Sequence, residues 1–514
     1  MITAKNPILS GFYPDPSVCA VGEDYYLVNS TFAYFPGVPI FHSRDLAHWE
    51  QIGHVLDRPS QLPLDGCGHS EGIFAPTIRY YDGTYYMITT NVSAGGNFLV
   101  TARDPKGPWS DPYYLDAPGI DPSLFFDENG ACYYVGTRPD SHGPRYVGDW
   151  EVWCQKLDLT SKKLTGESHV LWKGALKDTV WPEGPHLYKK DGYYYLLIAE
   201  GGTGPEHCIT IARSQEVFGP YEGNRKNPII THRHLGSTYP VVHVGHGDLV
   251  QAADGNWYMV MLASRPCEGY VNLGRETFLA KVVWEDGWPV VNPGVGRLEE
   301  TLTYPGEPVL TDPLPAVHGF EGGSLPLEFV MLRGGTEDIC SLTECKGALR
   351  LHVRPERMND KVHPAYVAIR QQYQDYQAEA WMEFEPGEGE EAGLCVVQSN
   401  EYHIRFVKSR TGGTAVMRLI SCKSGEDACL AQLEVPGGSG VLRIINRGQR
   451  AKFCYDCGGV YMVLAEDVDM RFLSTETAGG FVGCTIGMYA SSNGADSGNA
   501  CDFRWFACQD LRGK

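Results

Sequence analysis

The sequence has little of several features, and each shortage excludes a class of protein. No apolar run approaches the roughly 18 residues that a membrane-spanning helix needs, so no such helix is expected. Sustained helical periodicity is also nearly absent, whereas 60 glycines, 33 prolines and 29 tyrosines are typical of a turn-rich β protein. The N-terminal residues lack the apolar core of a secretory signal, which predicts a cytoplasmic protein.

Basic residues are few relative to acidic ones. Lysine and arginine number 43 against 63 aspartates and glutamates, which gives a formal net charge of −20. Nucleic acids and anionic membranes need a basic protein face, so neither is expected as a partner. A neutral ligand is compatible with this charge. The sequence does not decide the oligomeric state, and a homo-oligomer is kept as a hypothesis.

Cysteine is not scarce, but its distribution does not suggest disulfides. The 16 cysteines are scattered, often inside apparent strands, and reduced buried thiols are expected. Cys454 and Cys457 form a CxxC motif without a second pair at zinc spacing. Strand packing is therefore favoured over metal or redox use of this motif.

One sequence motif recurs through the first 300 residues: a polar or small residue, a short strand, a tight turn and an aromatic-rich strand. In the clearest copy Glu183 comes first, and Asp191 and Gly192 form the turn before a strand at residues 193–199. Asp-Gly between two apolar runs is a strong hairpin signal. The copies recur roughly every 45 to 65 residues and begin at Asp15, Ala75, Asp121, Glu183 and His246.

Five copies of this unit predict an all-β fold with a five-bladed β-propeller over residues 1–302. Equivalent positions of the blades lie on one ring around the central channel, so three carboxylates and one imidazole should converge there. A Pro/Gly-rich stretch at 303–325 is a predicted linker. Short alternating strands at 326–514 then predict a β-sandwich accessory domain.

The converging acids suggest a reaction. Two carboxyl groups, one protonated and one ionised, are the minimum for hydrolysing a glycosidic bond. Glu183 suits the acid, because its side chain is longer and neighbours such as Trp181 favour the protonated form. Asp15, fixed between two prolines, suits the base, and Asp121 could tune the acid. A single Asp-Pro pair more often serves a turn, but three acids at one repeat position favour chemistry.

Other candidate ligand-contacting residues lie near the ring. His246 could polarise a ligand or support a water-coordinated Ca²⁺, although hydrolysis requires no cofactor. A zinc pair with His243 is disfavoured, because positions three apart on a strand face opposite sides. Arg275 could recognise sugar hydroxyls, and a salt bridge to Glu276 or another acid is the equally supported alternative.

Two aromatic stretches are further candidates. Phe32, Tyr34 and Phe35 lie in a loop after the first hairpin, where ligand contact and ordinary packing are equally well supported for any one residue. Phe74 and Glu71 flank the second ring position.

These residues resemble the motifs of glycoside hydrolase family 43, and the resemblance covers most of the chain. In the first part the matching motifs are Phe12-Tyr-Pro-Asp-Pro-Ser17, residues 35–43, Ile120-Asp-Pro-Ser-Leu124, Glu183-Gly-Pro-His186, Gly245-His-Gly-Asp248 and Leu273-Gly-Arg-Glu-Thr277. The C-terminal part resembles the β-sandwich of β-xylosidase and α-L-arabinofuranosidase members, through Arg370-Gln-Gln372, Glu391-Ala-Gly-Leu394 and residues 500–506.

The resemblance implies an inverting mechanism. Asp15 would be the general base that activates water, Glu183 the general acid, and Asp121 the residue that raises the pKa of the acid and orients it. It also implies exo-action that releases L-arabinofuranose, D-xylose or both from neutral hemicellulose-derived oligosaccharides, with a sandwich loop closing one side of the pocket.

The same resemblance implies a pocket for the terminal sugar. His246 and Arg275 would lie in this pocket, with Phe32 and Phe74 as walls. Glu71 and Trp181 depart from the usual family pattern, and both bear on substrate preference. Three alternatives stay open: a non-catalytic carbohydrate-binding propeller, a retaining sugar-transferring propeller, and a glycosidase for another linkage.

Overall fold

The computed structural model describes residues 1–309, 311 and 315–512, and strands dominate it. It contains a five-bladed β-propeller followed by a β-sandwich, which confirms the predicted fold class. Part of the predicted linker, residues 310 and 312–314, lies outside the described residues. No helix in the described part of the chain is long and apolar enough to cross a membrane.

Each propeller blade is a four-stranded antiparallel sheet whose strands pair in chain order. Blade 1 contains Ser17–Val21, Asp24–Val28, Gly37–Ser43 and Glu50–Leu56. Blade 2 contains Thr77–Tyr81, Thr84–Asn91, Gly96–Ala102 and Tyr113–Tyr114. Blade 3 contains Ile120–Phe126, Cys132–Pro139, Trp150–Asp158 and Lys163–Trp172. Blade 4 contains Glu183–Lys190, Tyr193–Glu200, Cys208–Ser214 and Glu222–Gly223, and blade 5 contains Val242–Gln251, Trp257–Ser264, Arg275–Glu285 and Trp288–Val291.

The hairpin after Glu183 forms as predicted. Lys190 pairs with Tyr193, which leaves a two-residue turn at Asp191 and Gly192. These two residues have φ values of +49° and +82°, as the favoured two-residue hairpin turn requires. The turn therefore sets the register between the first two strands of blade 4, the first of which begins at Glu183.

A short sheet joins the two ends of the propeller chain. Ile2–Lys5 pairs antiparallel with Thr301–Tyr304. The Asn6 side-chain amide also donates to the carbonyl oxygens of Leu279 and Glu299, both at 2.9 Å. The paired strand reaches Tyr304, two residues beyond the predicted end of the propeller at residue 302.

The sandwich consists of two eight-stranded sheets. The first runs in the order Cys340–Ser341, Leu349–His352, Ala500–Asp510, Tyr376–Glu383, Ser439–Arg447, Arg450–Cys457 and Val460–Asp469, with Val317–Gly319 beside Ala500–Asp510. The second runs in the order Glu426–Glu434, Thr414–Lys423, His403–Thr411, Glu391–Val397, Thr485–Ser491, Ala365–Arg370, Val330–Leu332 and Tyr34–Phe35. Within the residues that the structure describes, helical structure is limited to Pro59–Gln61, Arg471–Leu473 and Thr475–Ala478.

The last strand of the second sheet comes from the propeller part of the chain. Tyr34 and Phe35 pair with Leu332 and Met331, respectively. The Tyr34 hydroxyl lies 3.1 Å from Thr485 Oγ1, and its ring is fully buried. The hypothesis that Tyr34 and Phe35 face a ligand is therefore wrong, because pairing and burial commit both residues to the contact between propeller and sandwich.

Candidate active site

The five ring positions line one cavity of about 260 Å³. Asp15, Ala75, Asp121, Glu183 and His246 come from five different blades, so the structure brings together the positions that the repeat equated. The predicted residues Phe32, Phe74 and Arg275 also line this cavity. The cavity is therefore the candidate active site.

Irregular backbone aims these side chains. The first strands of blades 3, 4 and 5 shift register between Ile120 and Ser123, between Glu183 and His186, and between Gly245 and Gly247. Such bulges redirect side chains and are common beside active sites. Each irregular segment contains or begins with a ring residue, listed in chain order as Asp121, Glu183 and His246.

Three ring residues also adopt a left-handed backbone conformation. The φ values are +52° at Asp15, +52° at Asp121 and +45° at His246. Non-glycine residues in this region cost about 1–3 kcal/mol each and cluster at functional sites. The surrounding fold therefore holds these three side chains in place at a cost in stability.

Asp15 is arranged to stay ionised. Its Oδ1 accepts a hydrogen bond from Arg275 Nη1 at 2.9 Å, and its Oδ2 accepts one from Ser30 Oγ at 2.5 Å. His246 Nδ1 lies 3.7 Å from Oδ1. Burial raises the pKa of Asp15, but Arg275, His246 and Ser30 together outweigh burial and hold the pKa below its ordinary value.

Glu183 is arranged to stay protonated. Burial of the carboxyl group, followed by the nearby charges of Asp121 and Asp15, raises its pKa well above the ordinary value. Arg275 acts in the opposite direction but does not cancel these effects. The ring therefore contains one carboxyl group that favours the ionised form and one that favours the protonated form.

The pKa of Asp121 lies between those of Asp15 and Glu183. Its Oδ2 accepts a hydrogen bond from the Gly184 backbone N–H at 3.1 Å, next to Glu183 in the chain. Burial is the main cause that raises the pKa of Asp121 to about 6, and the charge of Asp15 adds to it. Asp121 thus contributes charge beside the acid and holds the backbone that carries it.

Arg275 reaches across the cavity. Its Nη1 also lies 3.3 Å from Thr203 Oγ1, and its Nη2 donates to the Phe481 carbonyl oxygen at 3.4 Å. Glu276 instead pairs with Arg265, whose Nε lies 2.6 Å from Glu276 Oε2. The alternative of an Arg275–Glu276 salt bridge is therefore wrong, and the acid that Arg275 contacts is the ring residue Asp15.

A wall of three phenylalanines lines the cavity. The ring centroids of Phe32 and Phe74 lie 5.7 Å apart, and Phe481 lies 6.3 Å from the first and 6.0 Å from the second. The Arg275 guanidinium carbon lies 5.5 Å from the Phe481 ring centroid. The sequence resemblance implied that a sandwich loop closes the pocket, but only the structure identifies Phe481.

Beneath the ring, a charged network links four blades. Asp248 is fully buried and accepts hydrogen bonds from Ser17 Oγ at 2.7 Å, Arg79 Nη1 at 2.8 Å and Tyr188 Oη at 2.5 Å. Arg79 Nη2 also lies 3.0 Å from His186 Nδ1. The network residues follow the ring residues of their blades by two to five positions in the sequence, and sequence reasoning did not identify them.

Glu71 does not line this cavity. Its side chain is exposed, and its Oε2 accepts a hydrogen bond from the Gly68 backbone N–H at 2.5 Å. The carboxylate instead folds back on its own turn, and the substrate contact of Glu71 stays a prediction.

A metal near His246 stays a prediction. Among the described residues, His246 belongs to no group of three ligating side chains whose donor atoms lie within 4.8 Å of one another. A Ca²⁺ ion held mainly by water would not need such a group.

Besides Phe481, five further side chains line the cavity without having been predicted as ligand contacts: Ile120, Trp150, Trp181, Thr203 and His207. His207 Nδ1 lies 3.0 Å from the His243 carbonyl oxygen, and burial lowers its pKa to about 3. Two of these residues are tryptophans, and the position of Trp181 two residues before Glu183 was a signal in the sequence.

This five-bladed propeller holds in one cavity a carboxyl group that favours the protonated form and one that favours the ionised form. These are the two groups that a glycosidase needs to hydrolyse a glycosidic bond. Residues 4–289 match the model of glycosyl hydrolases family 43, and residues 317–509 match the β-xylosidase C-terminal concanavalin A-like domain. The chain belongs to glycosyl hydrolases family 43.

Relatives and solved structures agree over nearly the full chain. A xylosidase/arabinosidase of Butyrivibrio fibrisolvens is 53% identical, covering 99% of this chain and 100% of the relative. The non-reducing end alpha-L-arabinofuranosidase BoGH43B of Bacteroides ovatus is 39% identical, covering 98% and 94%. The structure of xylan beta-1,4-xylosidase from Bacillus halodurans C-125 superposes with a TM-score of 0.92 at 35% identity, covering 99% and 100%.

Proposed function

We propose that this glycosidase is an exo-acting, inverting enzyme that releases L-arabinofuranose, D-xylose or both from hemicellulose-derived oligosaccharides. The observation that carries the proposal is that one cavity lowers the pKa of Asp15 and raises the pKa of Glu183. Inversion is typical of family 43. The pentose specificity is supported by relatives named as xylosidases and arabinosidases.

In the proposed reaction, Asp15 accepts a proton from a water molecule as that water attacks the anomeric carbon. Glu183 donates its proton to the glycosidic oxygen as the carbon–oxygen bond breaks. The products are a free sugar of inverted anomeric configuration and an oligosaccharide shortened by one unit. Proton exchange with solvent then restores ionised Asp15 and protonated Glu183.

The cavity suits a short ligand. Its volume of about 260 Å³ lies just below the roughly 300–1,000 Å³ of pockets that hold drug-sized molecules. Phe481 from the sandwich adds a wall beside Phe32 and Phe74. A short, walled cavity supports cleavage of a terminal sugar over cleavage within a long chain.

The proposal is tested with 4-nitrophenyl α-L-arabinofuranoside and 4-nitrophenyl β-D-xylopyranoside. The native protein should cleave one or both, and Asp15→Asn should lower kcat by at least about 100-fold, because it removes the general base. Glu183→Gln should lose more activity on oligosaccharides than on nitrophenyl glycosides, because nitrophenolate leaves without a proton. Glu216→Gln, at an exposed acid of blade 4, is the matched control.

The assay separates the remaining readings. Proton NMR of the first-formed sugar anomer distinguishes inversion from retention. If only another glycoside is cleaved, the pentose assignment is wrong and the mechanism applies to that other linkage. Normal turnover of both acid variants would overturn the catalytic assignment itself.

A further inference from the structure

Trp181 has an unusual backbone conformation beside the proposed acid. It lies two residues before Glu183 and lines the same cavity, with its side chain partly exposed. Its φ value is +47°, which is rare for a bulky side chain. The Trp181 backbone N–H donates to the Gly148 carbonyl oxygen at 2.8 Å, so a neighbouring loop holds this conformation.

The indole occupies a slot between two glycines. A Cβ atom added at Gly202 would lie 2.6 Å from Trp181 Cε3, and one added at Gly148 would lie 3.1 Å from Trp181 Cε2. A side chain at Gly202 would therefore displace the ring, and one at Gly148 would crowd both the ring and Val180 Cβ, which would lie 2.8 Å from the added atom. Strained backbone and a slot that excludes side chains together fix the orientation of one large aromatic surface at the cavity.

The chemistry of the acid indicates what this surface contacts. A general acid donates to the oxygen of the leaving group, so that group must lie beside Glu183. Two rings of the phenylalanine wall, by contrast, lie 5.8 and 5.5 Å from the guanidinium carbon of Arg275, which pairs with the proposed base Asp15. Trp181 is thus the aromatic residue nearest in the chain to the acid, and a sugar ring can pack its apolar C–H face on an indole.

We propose that Trp181 forms the subsite for the first sugar of the leaving group and makes the enzyme prefer a sugar ring over a small alkyl group at that position. The proposal rests on the proposed function, since it assigns the leaving-group side from the role of Glu183. The enzyme then selects its substrate at two sites: the pocket recognises the released pentose, and Trp181 recognises the first sugar of the leaving group.

The test compares two leaving groups on the same released sugar. One substrate pair is xylobiose and methyl β-D-xylopyranoside; the other is an arabinofuranosyl xylo-oligosaccharide and methyl α-L-arabinofuranoside. For Trp181→Ala, kcat/KM should fall about tenfold or more on the oligosaccharide and clearly less on the methyl glycoside. Trp181→Phe, which keeps a planar ring, should recover much of the oligosaccharide activity.

Two further variants separate a leaving-group contact from a general structural effect. Gly202→Ala should reproduce the selective loss, because it moves the ring without removing it. Trp381→Ala, in a strand of the sandwich away from this cavity, is the control for loss of a tryptophan. Thermal unfolding of each variant confirms that the compared proteins are folded.

Binding is measured independently of turnover, by calorimetric titration of Glu183→Gln with the same ligands, with and without Trp181→Ala. If Trp181→Ala weakens binding of the oligosaccharide but not of the methyl glycoside, the subsite is supported. This result does not depend on turnover, so it holds even if neither pentoside is cleaved and the proposed function fails. Equal losses on both leaving groups, in turnover and in binding, would overturn it, because Trp181 would then act on the released sugar or on the position of Glu183.

Discussion

Arg275 Nη1 donates a hydrogen bond to Asp15 Oδ1 at 2.9 Å, across 260 positions of the chain. Arg275 lies at the start of the third strand of blade 5, and Asp15 precedes blade 1, so closure of the propeller creates the pair. The contact helps to keep Asp15 ionised beside two carboxyl groups whose pKa values are raised. It therefore decides which ring acid can serve as the base.

Replacing Arg275 should move the acidic limb of the pH profile. Arg275→Met removes a positive charge that lowers the pKa of Asp15, so this pKa rises and the ionised fraction at a given acidic pH falls. The acidic limb of kcat/KM should shift to higher pH, and the maximum should fall. The pH dependence of the variant checks this, with exposed Arg44→Met as the control. An unmoved acidic limb would contradict the electrostatic role.

Asp121→Asn should act on the opposite limb. It removes a negative charge that raises the pKa of Glu183, so this pKa falls and Glu183 loses its proton at lower pH. The basic limb of the profile should move to lower pH, with a loss of about tenfold or more in kcat at neutral pH. The asparagine carbonyl can still accept the Gly184 N–H bond, so a charge effect is separated from a positional one. A lower rate with an unmoved basic limb would show that the charge is not the cause.

Phe481→Ala should weaken substrate binding, although the residue lies in the sandwich. The side chain packs against Phe32 and Phe74 in the cavity, while its backbone carbonyl, which accepts from Arg275, is kept. We expect KM to rise several-fold and kcat to change less, which initial-rate kinetics will measure. Val460→Ala, at an exposed apolar position of the sandwich, is the matched control. An unaltered KM would show that this wall does not contact the substrate.

Asp248→Ala should destabilise the propeller. It leaves the Arg79 guanidinium without its carboxylate partner and removes the acceptor shared by Ser17 and Tyr188. Breaking a buried pair on one side typically costs about 3–5 kcal/mol, and the free energy of unfolding should fall by this order. Denaturant unfolding measures the loss against exposed Asp57→Ala. A change below about 1 kcal/mol would contradict the inferred role of the network.

Much of this architecture could be predicted from local patterns. The Asp-Gly turns and the recurring sequence motif indicated five hairpins, because turn chemistry and alternation act over a few residues. Equivalence of repeat positions then predicted that Asp15, Asp121, Glu183 and His246 would meet. The same reasoning was wrong for Tyr34 and Phe35, because a strand can pair with a partner almost 300 residues away, and loop sequence does not encode that choice.

Residues such as Phe481, Trp150 and Asp248 could not be assigned in this way. Phe481 reaches the cavity because the sandwich packs on the propeller, and Asp248 bonds to three other blades through the closed channel. The repeat, the acids and the family resemblance could all be found from residue order and spacing, which act over short stretches of chain. Which acid is paired, which is desolvated and which aromatic rings face them depends on the folded chain, because charge interaction and burial depend on distance in space.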